Sequence, residues 1–216
     1  MFNPKQKLIR QVVSSDGLDD RMLLSKFEHQ FSEFKKMYNK AYDTEEENEH
    51  RFGVFMSNLL KARRHKKLDP TATHGVTKFF DLTPSEFHVP FLMTEKLQRP
   101  KLPNSIYNAP ILSTNDLPRQ VDWRNRSAVT SVKDQGHCKA SWAFSAVGIM
   151  EAVHYQRSFD LVDLSAQQIL DCDSNAGSHG ELLVGYDANR NWTIKNSWGT
   201  NWGEEGYYRL CKGYIT

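Results

Sequence analysis

Residues Val132–Phe144 constrain this chain more than any other stretch. They read Val-Lys-Asp-Gln-Gly-His-Cys-Lys-Ala-Ser-Trp-Ala-Phe, polar as far as Lys139 and mostly apolar afterwards. Gly136 permits a tight turn, because a residue without Cβ enters positive φ at little cost. From Ser141 onward the run Trp-Ala-Phe-Ser-Ala-Val-Gly-Ile-Met-Glu-Ala-Val has helical periodicity, with Trp142, Ser145, Ile149 and Ala152 on one face. A loop that turns into a helix in this way delivers a side chain to the helix N-terminus. The macrodipole there favours negative charge, which is the setting of a reactive thiolate.

Composition narrows the classes. A chain of 216 residues is one large domain or two small ones. Its apolar and charged fractions, 39% and 25%, are those of an ordinary soluble globular protein. A net charge of +2 gives no ground for nucleic-acid or membrane partners, and no apolar run is long enough to span a bilayer. Met1–Lys7 starts basic with no apolar stretch behind it, so no secretory leader is read there, and compartment stays open. Cys138, Cys172 and Cys211 are odd in number, so at least one lacks an intrachain partner. There is no metal-ligand spacing and no phosphate-binding glycine loop, so no cofactor and no metal are expected.

Residues 1–22 read as irregular and polar. Ser25-Lys26-Phe27-Glu28 predicts a capped helix start, followed by Phe27, Phe31, Phe34 and Tyr38 at helical spacing. Thr44-Glu45-Glu46-Glu47 opens a second helix with Phe52, Phe55, Leu59 and Ala62 as its buried stripe. Acids crowd its first turn and bases its last, which complements the dipole. His74–Thr83 reads as a short strand and turn, and Pro84-Ser85-Glu86-Phe87 begins a last short helix. Residues 23–90 are therefore a small helical unit. The stretch 91–116, with Pro100, Pro103 and Pro110, reads as an extended linker. Residues 117–216 form the second folded region, with Ser165 as N-cap of a helix running to Cys172.

The motifs in these regions resemble those of the papain-like cysteine proteases. The family's Gln-Gly-x-Cys-Gly-Ser-Cys-Trp corresponds without gaps to Gln135–Trp142, and the family's nucleophilic cysteine falls on Ser141. In the propeptide signature Glu-x3-Arg-x3-Phe-x2-Asn-x3-Ile-x3-Asn, Glu47, Arg51, Phe55 and Asn58 fit while Ala62 and Lys66 depart; the following Gly-x-Asn-x-Phe-x-Asp resembles Gly75-x-Thr77-x-Phe79-x-Asp81, with Thr for Asn. His179–Tyr186 and Asn196-Ser197-Trp198-Gly199 are similar to the family's histidine strand and its Asn-Ser-Trp-Gly turn. Between them and Cys172, at Ser174–Gly177, the match breaks, and over half of a mature domain is absent. The resemblance implies an α+β fold: a helical propeptide unit, then an incomplete two-lobed papain-like domain with a helical lobe and a remnant β-barrel lobe. It is nearest the cathepsin F-like branch of plant vacuoles. It also implies that the disulfide partners of Cys138 and Cys172 lie in the absent segment and that the linker lies along the cleft.

By that resemblance the site is Ser141, His179 oriented by Asn196, Gln135 in the oxyanion hole, and Trp198 covering the His–Asn contact. A serine hydroxyl does not form the resting thiolate–imidazolium pair, and a neutral Asn196 cannot stabilise the imidazolium as the acid of a Ser-His-Asp site does. Glu181 stands where the family keeps an apolar residue. The expectation is a papain-like family member deficient in proteolysis, with peptide or protein substrates if active. The rival expectation is a propeptide-type inhibitor that binds active papain-like proteases through residues 23–116.

Overall fold

The computed structural model describes residues 20–68, 74–92, 113, 115–172, 179–189 and 191–211. Of the N-terminus expected to be irregular, residues 1–19 lie outside them, as do most of the linker and the break after Cys172, while residues 20–22 are helical. The chain divides into two compact units, Met1–Phe87 and His88–Thr216.

In the first unit α1 (Asp20–Met37) and α2 (Glu45–Leu68) pack along an aromatic seam. Phe27, Phe31 and Phe34 of α1 meet Phe52, Phe55, Met56 and Leu59 of α2, all buried. The Phe55 ring centroid lies 5.3 Å from that of Phe31 and 5.0 Å from that of Phe34. Each such side chain contributes about 1.5–3 kcal/mol on burial. Thr44 caps α2 as expected, its Oγ1 accepting from the Glu47 N–H at 3.1 Å. Ser25 is not a cap. Helix α1 starts earlier, at Asp20, and the added turn places Leu23 in the seam, where it is buried. The gain from burying that leucine outweighs a local capping signal.

No strand forms at residues 74–83. Phe80 N–H donates to Thr77 O and Leu82 N–H to Phe79 O, both at 3.0 Å, which makes successive turns. Among the described residues this unit offers no strand to pair with, so two carbonyls that a ladder would satisfy take a side-chain donor instead. Asn58 Nδ2 donates to Phe80 O at 3.0 Å and to Leu82 O at 2.9 Å. Helix α3 (Pro84–Phe91), which begins in this unit and runs past its boundary at Phe87, opens with a reciprocal capping box. Thr83 N–H donates to Glu86 Oε2 at 2.8 Å, and Glu86 N–H donates to Thr83 Oγ1 at 3.3 Å.

The second unit holds a four-stranded antiparallel sheet in the order β1 (Val121–Asp122), β2 (Leu182–Tyr186), β3 (Asn191–Lys195) and β4 (Tyr207–Cys211). A 3-10 turn, Trp123–Arg126, follows β1. Two helices complete the unit, α4 (Ser141–Ser158) and α5 (Ala166–Cys172). Gly185 lets β1 approach, since an added Cβ would fall on the Val121 carbonyl. The face of α4 is not the expected one. Ala143, Val147, Gly148 and Glu151 are buried, whereas Ile149 is 53% exposed. From Trp142 to Val153 this helix is apolar at all but Ser145, Gly148 and Glu151, so periodicity could not choose a face; packing against α5 through Val147 and Ala166 does. A buried polar bridge fixes α4 to the sheet. Thr130 Oγ1 donates to Glu151 Oε2 at 2.7 Å, and Lys195 Nζ donates to Thr130 O at 2.9 Å. Burial holds the Lys195 ammonium below the usual lysine range, with the Glu151 charge opposing that shift.

Candidate active site

The N-terminus of α4 and the segment entering β2 meet at one point. Ser141, the first residue of α4, is buried. Its Oγ lies 2.9 Å from His179 Nδ1 and accepts the Gly180 N–H at 3.1 Å. Gly180 has to be small here, because a Cβ would lie 2.7 Å from Trp142 Cα. Trp198 stacks on the imidazole, centroids 4.9 Å apart and planes at 21°. Ser141, Gln135, Cys138 and Glu181 line a cavity of about 420 Å³.

The other ring nitrogen departs from expectation. His179 Nε2 faces Glu181 Oε1 at 3.2 Å. Asn196 makes no hydrogen bond to His179. Its Nδ2 donates to the same Glu181 Oε1 at 3.2 Å, and its Oδ1 accepts the Ser197 N–H at 2.7 Å. Tyr208 donates its hydroxyl to Glu181 Oε2. The carboxylate has thus entered the place expected for the Asn196 carbonyl, and Asn196 now holds the carboxylate. The reason is reach and charge: an anion with two acceptor oxygens competes for Nε2–H better than a neutral amide. Burial and the adjacent Glu181 carboxylate push the Tyr208 phenol well above its usual range, so it stays a donor.

Gln135 is buried beneath the site with both ends engaged. Nε2 donates to Cys138 O at 2.6 Å, and Oε1 accepts from Ser197 Oγ at 2.6 Å. Cys138 is a free, exposed thiol, as is Cys211. Among the described residues no three His, Cys, Asp or Glu side chains are grouped to hold a metal.

The propeptide-type motif has a separate geometry. Arg51 is its hub, with Nη1 2.8 Å from Glu86 Oε1 and 3.1 Å from Asp81 O, and Nε 3.6 Å from Glu47. Asp81 is buried and accepts from Lys40 Nζ and Tyr42 OH, both at 3.0 Å. Phe55 is fully buried, and Phe79 packs edge-on against Phe87 at 5.1 Å. A Cβ at Gly75 would meet nothing within 4 Å, so packing does not explain that glycine.

A family model described as papain family cysteine protease matches residues 117–183 and 173–215, and one for the cathepsin propeptide inhibitor domain matches 31–87. Cysteine proteinase 15A of Pisum sativum is 35% identical over 321 aligned positions that cover 95% of this chain and 87% of the relative. The chain belongs to the papain family of cysteine proteases. Cathepsin F of Mus musculus is 30% identical over 288 positions, covering 85% of this chain and 61% of that protein. Among solved structures, the proform of the ragweed pollen allergen Amb a 11 superposes with a TM-score of 0.73 at 23% identity, covering 99% of this chain and 85% of its own. A recombinant stem bromelain precursor gives 0.72 at 21%, covering 88% and 94%. Both share the α+β fold. Membership of this papain family, with its propeptide domain, implies protein substrates. Sequence reasoning registered Glu181 only as a departure from the papain pattern and did not single out Tyr208. The available signal was spacing: His179 and Glu181 are two apart just ahead of β2, and in extended backbone positions two apart share a face.

Proposed function

We propose that this chain is a papain-type peptide hydrolase that has lost its thiol chemistry, shortened within its mature domain. Ser141 Oγ at 2.9 Å from His179 Nδ1 carries the reading, because it sets an oxygen where the family's mechanism uses sulfur. A free thiol has a pKa of about 8.5, and that of papain itself is lowered to about 3–4. A serine hydroxyl is far less acidic than a thiol and keeps its proton at rest, so the ion pair of a cysteine protease does not form. Hydrolysis has to begin from the hydroxyl, with His179 taking its proton as the carbonyl carbon is attacked. The alignment with the pea relative runs over 321 positions against a chain of 216 residues, which supports an internal gap. The trans-inhibitor reading is weaker, since that alignment extends across both units rather than the front one alone.

The test is Ser141→Cys in the full chain. The expected outcome is that the variant hydrolyses a fluorogenic peptide and is alkylated at position 141, while the parent shows no thiol-dependent turnover. A variant as inert as the parent to both substrate and alkylating agent would sink the proposal.

A further inference from the structure

We infer that Ser141, His179 and Glu181 form a serine-type acyl-transfer triad in place of the thiol one, acting on ester or peptide carbonyls. The inference rests on the reading of Ser141 as the nucleophile position.

Proton positions follow from the hydrogen bonds. Glu181 Oε2 accepts from Tyr208, and Oε1 accepts from Asn196 Nδ2. An ionised carboxylate only accepts, so the hydrogen between Glu181 and His179 belongs to Nε2. Neutral imidazole carries one N–H, which leaves Nδ1 bare and facing Ser141 Oγ. That oxygen already accepts the Gly180 N–H, so its own hydrogen points to Nδ1. Hydroxyl donor, bare imidazole nitrogen and anion on the far ring nitrogen are the arrangement that serine hydrolysis requires, with the two ring nitrogens in exchanged roles. Asn196 alone could not supply it, being neutral. Glu181 is a positioning residue: it fixes the tautomer and stabilises the imidazolium without touching substrate. Ser141 and Glu181 both line the cavity of about 420 Å³.

The step balances without a co-reactant other than water. The Oγ–carbon bond forms as the Oγ proton passes to Nδ1. The bond from carbon to the leaving group then breaks, and the leaving group takes that proton. Water cleaves the resulting ester by the same route, releasing acid and restoring Ser141.

The experiment uses the purified full chain and an aryl fluorophosphonate, which phosphonylates an activated serine with loss of fluoride. The parent is expected to label at Ser141 by peptide mapping and Ser141→Ala is not. Glu181→Gln is expected to lower kinact by about 10³-fold with KI within about twofold, near-UV circular dichroism being unchanged. Glu181→Asp keeps the charge and recovers part of the rate, which a purely packing role would not produce. Glu181→Leu is the second neutral variant should Glu181→Gln not fold, with the same loss expected. A parent that labels no more than Ser141→Ala overturns the inference, and so do neutral variants that label as fast as the parent. If Ser141→Cys gains thiol reactivity while the parent stays unlabelled, the papain-type reading stands and the triad falls. If neither reacts, both fall.

Discussion

Gly180 separates the histidine from the carboxylate, and its two constraints act on the same few atoms. Its N–H holds Ser141 Oγ, and its Cα leaves no room beside Trp142. Gly180→Ala is therefore expected to cost about 1–3 kcal/mol through overpacking and to abolish any reactivity at Ser141. Urea denaturation followed by Trp fluorescence measures the first effect and active-site labelling the second; an unchanged midpoint would mean that α4 yields freely at its start. At this scale the motifs in the sequence named Ser141, His179, Gln135, Asn196 and Trp198, and the fold brings all five into one neighbourhood. They could not say which acceptor faces Nε2. That depends on side-chain reach across three segments, and a carboxylate two residues from the histidine intervenes before the distant amide does.

Helices α1 and α2 depend on an aromatic seam, and Phe55 is at its centre, in ring contact with Phe31, Phe34 and Phe80. Phe55→Ala is expected to lose about 3–5 kcal/mol, the range for a large side chain deleted from a packed core, read as a lower urea midpoint in far-UV circular dichroism. Helix α3 adds a pH dependence. Burial disfavours the Glu86 carboxylate, but hydrogen bonds from Thr83 and the Arg51 guanidinium outweigh it and hold the carboxyl below its usual 4.5. A depressed carboxyl stabilises the fold fully above its unfolded value, and the contribution is lost as the pH falls through the folded value. The gap in urea midpoint between the parent and Glu86→Gln should be constant near neutral pH and close below pH 4.5. A gap that widened in acid would contradict this. The seam and the Thr44 cap were legible because both are local patterns. The missing strand at residues 74–83 was not, since strand formation requires a partner that local sequence does not announce.

Two separate cores make the whole molecule testable by spectroscopy. All five tryptophans, Trp123, Trp142, Trp192, Trp198 and Trp202, fall in the second unit, whereas helix signal comes from both. Phe55→Ala is expected to shift the circular dichroism transition and leave the Trp fluorescence midpoint in place; equal shifts by both probes would mean that the units unfold as one. What the sequence alone determined was the class of each part: an aromatic helical front, a loop-to-helix motif with serine at its head, and a histidine stretch far downstream. Those are properties of spacing and composition, which survive without coordinates. The tertiary structure decided where α1 begins, which face of α4 is buried and which group faces His179 Nε2. Each of these is a competition between contacts distant in sequence, settled by packing space and by the number of acceptors within hydrogen-bond reach.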